Sequence, residues 1–303
     1  MTAPVTVLEP LQVVDSMLIA TDVPEADYGV WSSGTTYAVG QRCILTTGVH
    51  KVYESLVAAN INHPPATSPD QWAVVGPTNR WALFDRSNST QTVKPSSMSF
   101  QLRPPGSINT LALLNLTGAT SVRVRMIHAT YGTVYDKTYS LASLPADTGW
   151  WSWFFDARTA PSLMLALDLP GLQGCDLYVD ITGTTELAVG VLLIGQARGF
   201  GMGMLSGAKA GIQDYSRKET DDFGNTVLVQ RAFAKRLDLS VPILAEQTDD
   251  VADLLARLRA TPCLWVGLSS RGITVLYGFY KEFEIVLTNG RISECSLQLE
   301  GLT

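Results

Sequence analysis

The sequence predicts a mainly β chain: a small aromatic β module, a β-sandwich or jelly roll, and a C-terminal α+β unit with one helix. Three observations carry this reading. Between residues 81 and 197, apolar and polar residues alternate in one short segment after another, with turn residues roughly every 8–12 positions. Near the C-terminus the period changes: Val251, Leu254, Leu255 and Leu258 fall at i, i+3, i+4 and i+7, one face of a helix. Charged residues make up only 17% of the chain and hydrophobic residues 46%, a balance that suits extensive burial, subunit interfaces included, and argues against disorder.

The elements follow in order. Residues 1–28 form an arm in which Val5-Thr6-Val7-Leu8 and Gln12-Val13-Val14 are extended segments broken by Pro4 and Pro10. Proline at this spacing favours a sheet edge, so the arm is expected to pack on its own domain or on a neighbouring subunit. Residues 29–80 form an aromatic-rich module with a proline-rich loop at 64–69. It is too small to bury much surface alone and is expected to lean on the next domain. Sandwich strands are expected at 97–102, 110–114, 122–126, 133–135, 151–155, 163–169, 176–181 and 187–194. Residues 198–225 read as a glycine-rich polar connection, with a loop at 199–207 and a turn around Asp222-Phe223-Gly224.

The unit from 198 to 303 then opens its ordered part with Leu237, Leu239, Val241 and Ile243, a strand with one buried face. In the helix that follows, Thr248 is expected to cap the N-terminus. Asp249 and Asp250 suit that positive end, and Arg257 and Arg259 the negative end. Pro262 lies beyond it, before strands at 263–268, 273–280, 283–288 and 292–299.

Within the module, Trp31, Tyr37, Gly40, Tyr53, Trp72 and Gly76 stand in an order and spacing that resembles the chitin-binding modules of the family 5/12 type. Where sugar-binding members carry an exposed aromatic pair, this chain reads Leu56-Val57-Ala58-Ala59-Asn60. The flanks extend the likeness. The leader from Glu9 through Val23-Pro24-Glu25-Ala26-Asp27-Tyr28, and the exit Gly76-Pro77-Thr78-Asn79-Arg80-Trp81-Ala82-Leu83-Phe84-Asp85, look like non-enzymatic tail-tip or baseplate proteins of long-tailed bacteriophages. This covers about the first 90 residues. By element order alone, the sandwich is similar to a galactose-binding-like jelly roll and the C-terminal unit to the tail-tube barrels that stack into rings. The resemblance implies a virion protein made in the host bacterial cytoplasm and assembling into a symmetric ring. Its implied partners are other copies of itself and other phage tail proteins, with host surface polysaccharide as a secondary contact.

Composition and motifs exclude other classes. The net charge is −6 with no run of Lys or Arg, so no nucleic-acid partner is expected. Cys43, Cys175, Cys263 and Cys295 stand alone, which fits reducing cytoplasm and no zinc ribbon. The longest apolar run, 187–194, is far below the roughly 20 residues of a membrane span, and no signal peptide is read. The glycines at 199–207 miss the dinucleotide pattern, and Asp222-Phe223-Gly224 lacks the other kinase motifs. His50, His63 and His128 have no metal-site spacing, and the segment 267–272 misses the hydrolase elbow by one position. Asp156, Asp168, Asp176, Asp180 and Glu186 offer carboxylates for glycoside hydrolysis or calcium, but strand ends commonly carry such residues. No enzyme, cofactor or metal is expected.

Two residue sets remain. Trp31, Tyr37, Tyr53 and Trp72, with Trp81 beside them, are either a glycan-binding surface or the core of a small module. Trp150, Trp151, Trp153 and Phe155 are expected to lie in a strand apolar on both faces, as a subunit interface requires. The leading expectation is an assembly subunit. The alternatives are a carbohydrate-binding adhesin and, behind it, a glycan-degrading enzyme.

Overall fold

A computed structural model describes residues 3–141, 161–220, 226–288 and 290–302. The chain is mainly β. The arm holds β1 (Val5–Pro10) and β2 (Leu18–Thr21). The module holds β3 (Arg42–Leu45), β4 (Lys51–Ser55) and β5 (Trp72–Pro77). Then come β6 (Thr92–Val93), β7 (Ser97–Leu102), β8 (Thr110–His128), β9 (Gly132–Ser140), β10 (Leu163–Ala166) and β11 (Cys175–Phe200). The C-terminal part has β12 (Lys209–Asp214), β13 (Arg217–Thr220), β14 (Thr226–Val229), β15 (Phe233–Leu244), helix α1 (Thr248–Arg257), β16 (Cys263–Val266), β17 (Val275–Val286) and β18 (Ile292–Gly301).

Among the described residues, 13 strands join one sheet whose main path is β10-β8-β11-β1-β16-β17-β18-β15-β12. Strand β9 pairs with β8, β6 and β7 pair with β11, and β2 pairs with β7. The strands β3-β4-β5 form a separate sheet, and β13 pairs only with β14.

Several strands expected to be separate are continuous. The segments 110–114 and 122–126 both lie in β8, and 176–181 and 187–194 both lie in β11. A long strand can fold over a core only where its ladder breaks. That break falls between Thr182 and Ala188. Gly118, opposite it, has φ +65°, and a Cβ there would press on Thr184 and on the Glu186 carbonyl. The core-facing residues of β8 change parity more than once around this point, from Leu111 and Leu113 to Leu116, then Ala119, then Val122, Val124 and Met126. Alternation alone therefore reads one bent strand as two. The same applies to 273–280 and 283–288, joined in β17 with a register shift between Tyr280 and Glu282.

Strand β1 joins the two larger parts. One edge pairs with β11, from Val5↔Phe200 to Pro10↔Gly195, and the other with β16, from Thr6↔Val266 to Leu8↔Leu264. Its ladder edges are thus occupied within the chain, where Pro10 ends the strand. Val5 and Val7 enter the C-terminal core, and Leu8 enters a seam core with Ala112, Val191, Leu193 and Leu264. This seam is why 110–114 and 187–194 are apolar on both faces: the sandwich core lies on one side and the seam on the other.

Helix α1 buries Val251 and Leu255, as its periodicity predicts, against Leu239, Val241 and Trp265. Its capping differs from expectation. Thr248 is the first helical residue after a 3₁₀ turn (Ala245–Gln247), and its hydroxyl is buried without a partner among the described residues. The stretch 198–225, expected to be a connection, contains β12 and β13.

Candidate functional site

The aromatic set of the module is built inward. Tyr37, Cys43, Tyr53 and Trp72 form its core, each at most 4% exposed. The rings of Tyr37 and Trp72 meet edge to face at 5.0 Å. The Trp72 indole donates to the His63 carbonyl at 2.9 Å, and the Tyr37 hydroxyl accepts the Ser32 amide at 2.9 Å. A sugar platform needs a free ring face, and these three rings have none. Trp31 packs partly buried against this core, so the glycan set reduces to one ring. Trp81 lies against His50 on one side and Phe84 on the other. The interface set Trp150, Trp151, Trp153 and Phe155, with Asp156 and the turn at 222–224, lies outside the described residues.

Three of the other carboxylates, Asp168, Asp176 and Asp180, are engaged. Asp176 takes two Arg103 nitrogens at 2.6 and 2.8 Å, and Asp180 takes Arg125 at 2.7 Å. Asp168 takes Lys137 Nζ at 2.8 Å, and the Tyr135 and Tyr139 hydroxyls lie 2.8 and 3.0 Å from its Oδ1. The Lys137 hydrogen bond, helped by the two hydroxyls against burial, lowers the Asp168 carboxyl from 3.8 to about 2. A lowered carboxylate stabilises the fold above its unfolded value, and that contribution is lost as pH falls through the lowered one. The rim formed by Tyr135, Tyr139 and Asp168 is therefore expected to loosen only as pH falls from about 4 to about 2. The Asp168 side chain is 52% exposed, so the contribution is at most ~1 kcal/mol. Tyrosine near-ultraviolet circular dichroism checks this, and Asp168→Asn should abolish the acid step.

All four cysteines are free and buried. Burial pushes the Cys43 and Cys295 thiols up to about 11 and Cys263 up to about 12. Among the described residues, no group of three His, Cys, Asp or Glu side chains is gathered to hold a metal, and no helix is long and apolar enough to cross a membrane.

A group of exposed apolar side chains lies on strands that no sequence motif marks. Strands β12 and β15 pair from Lys209↔Asp238 to Asp214↔Phe233. The ladder continues through the Tyr215 amide to the Ala232 carbonyl, and then through β13 and β14 from Arg217↔Val229. Beyond Arg236, the last residue of this stretch that also pairs with β18, the result is a two-stranded ribbon. All six residues of β12 are exposed. Val227, Leu228 and Val229 are 57%, 68% and 46% exposed, and Ile212, Tyr215 and Phe233 are exposed with them. A lone two-stranded ribbon is marginally stable in water, and exposed apolar side chains grouped in this way mark a contact surface. The run Thr226-Val-Leu-Val-Gln230 inside a polar stretch was the available signal. At the ribbon's foot, Phe233, Leu163, Tyr277 and Leu302 line a cleft of about 350 Å³.

No protein-family model matches the chain, and no curated protein matches it.

Proposed function

We propose that this chain is a structural subunit of a long-tailed phage tail tip or baseplate, assembling with its own copies into a closed ring. The observation that carries the assembly part is the apolar ribbon of β12 to β15, whose Val227, Leu228 and Val229 are exposed together. The ribbon runs into the cleft at its foot, with which it shares Phe233. Copies that meet head to tail close into a ring when the rotation permits. The placement in a phage tail is supported by the leader and exit segments around the module. Glycan contact recedes in this reading, because three of its four expected rings are core.

The test uses the buried thiols. With all four native cysteines shielded, Leu228→Cys offers a selective attachment point for a polarity-sensitive dye. The expected result is a blue shift of emission as protein concentration rises. Water-like emission at every concentration would count against assembly through the ribbon.

A further inference from the structure

Among the described residues, the module's strands pair only with one another. Apart from contacts to its flanking residues, the hydrogen bonds that tie residues 31–76 to the body, among the described residues, end on the turn between β3 and β4. The Gly48 amide donates to Asp15 Oδ2 at 3.1 Å. His50 faces Glu25 Oε1 from Nδ1 and Asp15 Oδ1 from Nε2, each at 2.8 Å. The imidazole is 11% exposed and stacks on Trp81 at 4.2 Å. The Glu25 side chain is 5% exposed; it also accepts the Thr78 hydroxyl at 2.8 Å and faces Arg80 at 3.5 Å. Lys51 and Asp85 line the cleft beside the ring. His50 itself has φ +48°, a strained conformation for a side-chain-bearing residue that persists where its contacts over-determine it.

A neutral imidazole has one N–H and one lone pair, and an ionised carboxylate only accepts. Both nitrogens of His50 face carboxylates, so only the imidazolium satisfies both contacts. We propose that the module is latched to the body by the proton that makes His50 an imidazolium, and that losing this proton releases the module while the large sheet stays folded. Without it, the one N–H left stays with Glu25, which at 5% exposed cannot turn to water, and the lone pair faces Asp15, which at 47% exposed can; the contact to Asp15 that ties the turn to the arm is the one lost.

The latch also has a lower limit. Burial raises the Asp15 carboxyl, but the His50 hydrogen bond, the Gly48 amide and the His50 charge outweigh it and hold the group below its usual 3.8. Stability from a lowered carboxylate is lost as pH falls through the lowered value. Acid therefore sets a lower limit on docking.

The chain has three histidines, so the ring nitrogens of the full-length protein can be resolved by ¹⁵N NMR and assigned with His63→Gln and His128→Gln. Both His50 nitrogens should carry protons at every pH at which amides 48–51 are protected from hydrogen exchange. As pH rises and the proton leaves, their protection factors should fall about 10- to 100-fold, while β8 and β11 keep theirs. Glu25→Gln sets an amide donor opposite Nδ1; it should let a neutral ring dock and remove the pH dependence. A neutral His50 ring with the turn still protected would overturn the proposal. So would a Glu25→Gln chain that keeps the wild-type pH dependence.

Discussion

Replacing Val227, Leu228 and Val229 together by serine is expected to weaken self-association strongly and leave the fold intact. Covering a valine or leucine fully contributes about 1.5–3 kcal/mol. With 57%, 68% and 46% of these residues exposed in the single chain, the three together contribute roughly 3 kcal/mol to a contact that covers them. That is about a hundredfold in the concentration needed for assembly. None of the three belongs to a core cluster, so the thermal unfolding midpoint should stay within a few degrees of wild type. Sedimentation equilibrium on both proteins checks the first point and calorimetry the second. An unchanged association constant would remove the ribbon from the interface.

The second large effect belongs to Trp265→Ala. Trp265 is 1% exposed in the C-terminal core, lies edge-on to Tyr280 at 6.3 Å, and donates its indole N–H to the Gly278 carbonyl at 3.3 Å. Truncating such a residue costs about 3–5 kcal/mol, through lost burial and the cavity left behind. Trp265 pairs with Val7 of β1 on one side and Leu276 of β17 on the other. The loss should therefore loosen the C-terminal unit first. Denaturant unfolding followed by hydrogen exchange should show β15 to β18 opening at lower denaturant than β8 and β11. A single transition displaced as a whole would mean that β1 couples the two parts more tightly than this predicts.

What was legible in the sequence follows from where local pattern and tertiary environment agree. The helix face of Val251 and Leu255 depends only on spacing, and it lies where expected. The double-sided apolar runs at 110–114 and 187–194 also report their burial correctly, because a strand between two cores needs apolar residues at both parities. The bend at Gly118 was not legible, since alternation restarts with shifted parity and a bend looks like an end. The role of β1 was not legible either: nothing in Val5-Thr6-Val7-Leu8 says which two strands will flank it.

At the candidate site the aromatic landmarks were found, but not their direction. An ordered set of Trp and Tyr reads the same whether it faces sugar or core. The His50 latch was invisible because its partners stand 35 and 25 residues away. The ribbon was missed because glycines and charges surround its short apolar run, and only the ladder from Lys209↔Asp238 onward reveals its length.

The most direct measurement is the solution mass of the purified full-length chain by light scattering, paired with electron microscopy of the same fraction. Assembly through the ribbon predicts a discrete multiple of 32.8 kDa and closed rings on the grid. A clean 32.8 kDa monomer across the accessible concentration range would contradict it.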